Sequence, residues 1–307
     1  MASVHELNAT YAIPGILAFD EPVEGFPRAV VTSPACTAEL YLHGAHLAEW
    51  KPAHAADPAL YLSPKTIFQQ GKAIRGGVPV IFPWFGPRTP EVTGATTEGG
   101  QHGFARNTPW ELSFAAVAGE DVHLVLTLGA SEQTRALGFD QFRVSLEFRL
   151  GRELTIRMTV ANEGEQPLVF EEALHTYLRV GDPEKVHIHG LGKTEFIDKV
   201  DGFQRKTQAE DVLTLHGETD RPYLNTAATV TVEDPELLRR IVVRKAGSQT
   251  TVVWNPWAEL TAGLKDMPAD GWKHFVCVES ANASENRVSL AGRSAHILET
   301  HILVESL

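Results

Sequence analysis

Two side chains in this sequence sit where proton transfer could be done. Glu279 follows the apolar run Phe275-Val276-Cys277-Val278, so its strand neighbours are apolar whichever face it takes. Partial burial raises a carboxyl pKa toward neutrality, as a general base requires. A glutamate buried without partners costs on the order of several kcal/mol, so a purely structural Glu279 would need partners of its own. His175 lies in LVFEEALHTYLRV, residues 168–180. As one strand, this segment turns Leu168, Phe170, Leu174, Leu178 and Val180 to one face and His175, Tyr177 and Arg179 to the other. His175 is then either part of a site for a polar ligand or a structural histidine bonded across the sheet.

Two further segments bring cations near glycines. In IRGGVPVIFPWFGP, Arg75 precedes a Gly-Gly pair that lets the backbone turn tightly at a cavity rim. No Lys-Ser/Thr or helix pattern follows, so this is no phosphate-cradling loop, and a surface arginine before a buried strand is the plain alternative. In QHGFARNTPWEL, Gln101, His102 and Arg106 fall within six residues around Gly103. Amide, imidazole and guanidinium together suit a ligand rich in hydroxyls that carries one anionic group, and a polar strand edge would also explain them. Asp220, in GETDRPYLN, reads on its own as the start of a turn. His187 and His189 share a strand face but have no third ligand at suitable spacing, so a metal site is not expected. The GxSxG elbow is absent and neither Cys36 nor Cys277 has a reactive context.

The elements that must carry these groups are strands. Phe142–Leu150 alternates cleanly, Gly151-Arg152 turns the chain, and Leu154, Ile156, Met158 and Val160 line one face of the return strand, which predicts a hairpin. Short runs such as Ala38–Leu42, Val78–Phe82, His123–Leu128, Thr250–Trp254 and His296–Val304 recur between Gly, Pro, Asn and Asp. Helical periodicity is nearly absent, with short turns predicted only at Ala209–Leu215 and Glu259–Leu264. The pattern predicts an all-β fold, a large antiparallel sandwich or barrel forming a single domain over residues 1–307. The glycine- and proline-rich loop from Phe85 to Gly103 is long enough to be functional.

Composition narrows the partners. A net charge of −12 argues against nucleic acid or an anionic membrane, and an anionic small molecule would need local arginines. The start MASVHELNATYAIPG has no signal-like pattern and no apolar stretch suits a membrane span. Both cysteines lie in strand-like runs and read as reduced core residues, so the cytoplasm is the expected compartment.

Taken together, IRGGVPVIFPWFGP, QHGFAR, EEALHTYLRVGD, TDRPY and VCVESAN, in this order, resemble the hexose-6-phosphate mutarotases of the aldose 1-epimerase (galactose mutarotase-like) superfamily, from about Ile16 to Val304. The resemblance implies a large antiparallel β-sandwich with the sugar in an open cleft across a concave sheet. It implies acid–base catalysis by His175 and Glu279 and substrate contacts from Arg75, Gln101, Arg106 and Asp220, with His102 lining the same cleft. The implied reaction interconverts α- and β-anomers of a hexose 6-phosphate by a monomer, with neither metal nor cofactor. Glu279 would take the C1 hydroxyl proton and a protonated His175 would protonate the ring oxygen. Arg75 and Arg106 would anchor the phosphate. The segment between Gly86 and Gln101 departs from the family pattern, so no contacts carry over to it. An epimerase for unphosphorylated aldoses and a non-catalytic carbohydrate-binding sandwich are the alternatives.

Overall fold

A computed structural model describes residues 2–90 and 98–307; residues 91–97 of the Phe85–Gly103 loop lie outside the described residues. The predicted hairpin is present, with Phe142–Leu150 paired antiparallel to Leu154–Asn162 and Val144 facing Val160. It belongs to a nine-stranded sheet that runs from Val212–Leu213 at one edge to Glu111–Ala118 at the other. An eight-stranded sheet packs against it, ordered Gln204–Thr207, Glu195–Asp198, Thr219–Tyr223, Thr250–Asn255, Phe275–Asn282, Glu172–Leu174, Val80–Ile81, with Tyr177–Arg179 also on Phe275–Asn282. A four-stranded sheet spans Leu17–Asp20 to His46–Pro52. This is the antiparallel β-sandwich, one of the two architectures that the alternation allowed and the one that the resemblance implied.

The main core lies between the two large sheets. Val144, Leu146, Ile156, Met158 and Leu298 come from one, and Leu174, Leu178, Val253, Val276 and Val278 from the other, all buried. The opposite face of the eight-stranded sheet carries smaller apolar groups: Tyr61, Tyr177, Phe275 and Cys277 at one end, and Ile81, Ala173, Val252 and Ala281 at the other. Polar site residues are set into that second face.

The structure corrects two sequence expectations. Residues 168–180 are three short strands, Leu168–Phe170, Glu172–Leu174 and Tyr177–Arg179. The Thr176 N–H donates to the Leu174 carbonyl at 2.9 Å, a three-residue turn that bends the chain at His175. No helix forms over 209–215; Val212–Leu213 is an edge strand. The second predicted turn does form, as Trp257–Ala262. A helix the alternation missed, Val4–Tyr11, starts at a Ser3/Glu6 capping box. Among the described residues no helix is long and apolar enough to cross a membrane.

Candidate active site

Strand register brings the two proton-handling groups together. Leu174 pairs with Ser280 and Tyr177 with Cys277 on the same partner strand, so His175 falls opposite Glu279. Residues directly opposite share a face. His175 is pinned at the bend because its N–H donates to the Pro79 carbonyl at 3.0 Å. The Tyr177 N–H donates to the Gly77 carbonyl at 2.9 Å. The result is an imidazole Nε2 3.3 Å from Glu279 Oε1. His175 is 7% exposed and Glu279 1%, and Glu279 Oε2 is buried with no protein hydrogen-bond partner. Tyr177 stacks on the imidazole, with centroids 5.0 Å apart and planes 15° apart, and Trp254 meets it edge-on at 5.7 Å.

The glycines before that strand are a steric requirement. Gly76 and Gly77 both have positive φ, and an added Cβ would lie 2.4 Å from the Tyr61 carbonyl oxygen and 2.2 Å from that of Leu47. The tight turn sets Arg75 against Tyr177 and Asp266. Its Nε donates to Asp266 Oδ2 at 3.0 Å and a terminal nitrogen to the Tyr177 hydroxyl at 3.2 Å.

Arg106 sits on the one-turn helix Ala105–Asn107, whose Ala105 carbonyl is held by the Trp110 indole N–H at 2.9 Å. One terminal nitrogen donates to the Gln101 carbonyl at 3.1 Å, and Nε is buried without a partner. Burial pulls this guanidinium down to about 10, which leaves it charged at neutral pH. Gln101 itself is exposed on the loop rim. His102 accepts the Gly86 N–H at Nδ1, 3.1 Å, and meets His175 edge-on with centroids 5.9 Å apart. In a neutral ring its free N–H is then Nε2.

Asp220 reaches the same face through register, opposite Trp254, which is opposite Cys277. Its carboxylate takes a partner that the sequence did not flag: Lys199 Nζ lies 3.1 Å from Oδ1. Lys199 also lies 5.0 Å over the Phe85 ring. Asp266 and Trp254 were missed as well, one in a Pro- and Gly-bounded loop and the other in a run that reads as core. A lysine in a polar hairpin gives no periodic signal.

The charges converge on the central pair. Burial first, then Arg106 and Arg75, hold the His175 imidazole well below its usual 6.5. Burial first, then Asp220, hold the Glu279 carboxyl well above its usual 4.5, with Lys199 and Arg106 opposing. Both groups therefore lean toward their uncharged forms. The upward direction for Glu279 is the one expected of a general base, and the downward direction for His175 opposes the protonated imidazole that the sequence reading asks for. Desolvation outweighs the mutual attraction because both groups are almost wholly out of water. Among the described residues no cluster of His, Cys, Asp and Glu has the arrangement to hold a metal ion.

The chain matches the aldose 1-epimerase family over residues 27–296. It belongs to that family. This epimerase is 40% identical over 88% of both chains to an Escherichia coli K12 protein named "Putative glucose-6-phosphate 1-epimerase". It is 32% identical to a Cenchrus ciliaris protein of the same name, over 83% of this chain and 77% of that one. A crystal structure titled as a "putative mutarotase" from Salmonella typhimurium superposes with a TM-score of 0.88 at 33% identity, covering 99% of both chains.

Proposed function

We propose that this epimerase interconverts the α- and β-anomers of D-glucose 6-phosphate, and of other hexose 6-phosphates, by opening and reclosing the pyranose ring. The observation that carries this reading is a carboxyl and an imidazole 3.3 Å apart on the face of the eight-stranded sheet away from the main core, beside an arginine with a buried, unpartnered Nε. Ring opening removes a proton from the C1 hydroxyl and adds one to the ring oxygen. These oxygens share one carbon, so the two groups must stand side by side, as His175 and Glu279 do.

The three cations of the cleft have different tasks in this reading. Arg75 is tied to Asp266 and Lys199 to Asp220, which leaves Arg106 with the unpaired donor for an anion and Arg75 as the second charge acting at the same place. Its planar donors suit a phosphate. A phosphate at Arg106 and Arg75 also cancels part of the positive potential on the pair. Arg106 acts on both members and Arg75 on His175, so cancellation favours moving the proton from Glu279 to His175. Glu279 then takes the hydroxyl proton, His175 protonates the ring oxygen, the aldehyde turns about C1–C2, and closure reverses both transfers. Each positioned group contributes about 10²–10⁴-fold. Asp220 accepts from sugar hydroxyls and Gln101 exchanges hydrogen bonds at the rim.

We read residues 1–307 as one domain acting as a monomer in the cytoplasm; the two large sheets sharing one core support the single domain, and two buried free cysteines suit a reducing compartment.

Magnetisation-transfer NMR on α- and β-glucose 6-phosphate, against free glucose and galactose, tests the substrate. Acceleration should be greater for the phosphorylated sugar in kcat as well as in KM, because the phosphate places the proton. Arg106→Ala should lower kcat/KM for glucose 6-phosphate by about tenfold to a hundredfold, the range for losing a charged hydrogen-bond partner. Equal acceleration of free and phosphorylated sugars would favour the epimerase for unphosphorylated aldoses, and binding without acceleration would leave a carbohydrate-binding sandwich.

A further inference from the structure

Lys199 was invisible in the sequence, and its surroundings are those of a ligand contact. It follows the strand Glu195–Asp198, which lies between Gln204–Thr207 and Thr219–Tyr223, and its own N–H donates to the Asp220 carbonyl at 3.1 Å, which fixes its backbone beside Asp220. Its Nζ lies 3.1 and 3.4 Å from the two Asp220 oxygens and over the Phe85 ring. Its side chain is 23% exposed and that of Asp220 27%, so the pair meets solvent within the cleft. Its charge acts on Glu279, His175, His102 and Glu171. An ion pair this exposed adds little to stability. The arrangement makes better sense as recognition.

We propose that Lys199 is a specificity-determining substrate contact, forming with Asp220 a donor–acceptor pair that reads two neighbouring hydroxyls of the sugar ring. The ammonium has three N–H donors and the carboxylate about four acceptor sites, so their mutual bond leaves both able to bind. A vicinal diol offers the matching set: one hydroxyl donates to Asp220 while its neighbour accepts from Lys199. Phe85 forms the wall that holds the lysine stem on this side. Such a pair discriminates because a bound sugar lacking the right hydroxyl covers one of the ammonium's remaining donors without replacing its hydrogen bond to water. This inference rests on the cleft being a hexose phosphate site.

The test measures anomer exchange for glucose 6-phosphate and its 2-, 3- and 4-deoxy analogues with the wild-type enzyme, Lys199→Met and Lys199→Arg. Lys199→Met should lower kcat/KM for glucose 6-phosphate by about tenfold to a hundredfold. For one deoxy analogue that penalty should disappear, because the contact is already missing. Lys199→Arg should restore part of the loss, and it carries the same comparison if Lys199→Met does not fold. An equal penalty on all four substrates would overturn the assignment and make Lys199 a support for Asp220. A wild-type enzyme that fails to accelerate glucose 6-phosphate at all would remove the underlying reading of the cleft, and this proposal with it.

Discussion

The two faces of the Phe275–Asn282 strand differ in what they ask of their side chains. Toward the core, Val276 and Val278 meet Leu174, Leu178 and Val253, all apolar and buried. Toward the cleft, Cys277 and Glu279 meet Tyr177, His175 and Trp254. One register sets both. The core face pays no desolvation penalty for its burial, whereas the other face holds a carboxyl and an imidazole almost out of water. The apolar face supplies the rigidity that keeps the costly pair in place. Stability and activity should therefore separate cleanly by face.

The largest break in that comparison is on the cleft face. His175→Asn should slow anomer exchange by about 10²–10⁴-fold with little change in melting temperature. Because the two groups act as a unit, His175→Asn combined with Glu279→Gln should be little slower than the worse single variant. A multiplicative double variant, measured by the same NMR exchange, would mean that the groups work independently.

A core-face change should do the reverse. Leu174→Ala removes a fully buried side chain one residue before His175 and should cost about 2–5 kcal/mol in urea unfolding. Exchange per folded molecule should stay within a few-fold of wild type. A loss of turnover as large as that of His175→Asn would show that the core face does more than support.

The smallest expected effect is in the pH profile. A second proton on the pair, which leaves no base to take the hydroxyl proton, stops exchange from the acid side, and the lowered His175 pKa puts that limb below 6.5. Deprotonating the pair stops it from the alkaline side, and the raised Glu279 pKa puts that limb above 4.5. The limbs are macroscopic values of the pair. Arg106 is among the cations that hold His175 down, so Arg106→Gln should move the acid limb of kcat/KM to higher pH. A shift to lower pH would contradict the charge argument.

The sequence made the sheet readable where alternation was strong. Phe142–Leu150 and its partner pair as predicted because an apolar face of period two has one way to lie on a core. Residues 168–180 kept their alternation through a break, since Glu172–Leu174 and Tyr177–Arg179 hold one register on a common partner. The break itself is a hydrogen bond from Thr176 to Leu174, which periodicity does not encode. The Ser3/Glu6 capping box was legible but lay in a short segment without an apolar stripe. His175, Glu279, Arg75, Gln101, Arg106 and Asp220 drew their proposed roles from family motifs, and in the fold Arg75, Arg106 and Asp220 lie close enough for their charges to act on the His175–Glu279 pair, with Gln101 bonded to Arg106. Lys199 and Asp266 could not be read, because each matters only through a partner distant in sequence, Asp220 or Arg75.

The most direct test is Glu279→Gln, with anomer exchange of glucose 6-phosphate followed by magnetisation transfer and affinity measured on the same preparation. The amide keeps the shape of the side chain and cannot take the proton. Exchange should fall by about 10²–10⁴-fold while the dissociation constant changes little. Exchange near the wild-type rate, or a loss that merely follows weaker binding, would contradict a shared proton between Glu279 and His175 as the basis of turnover.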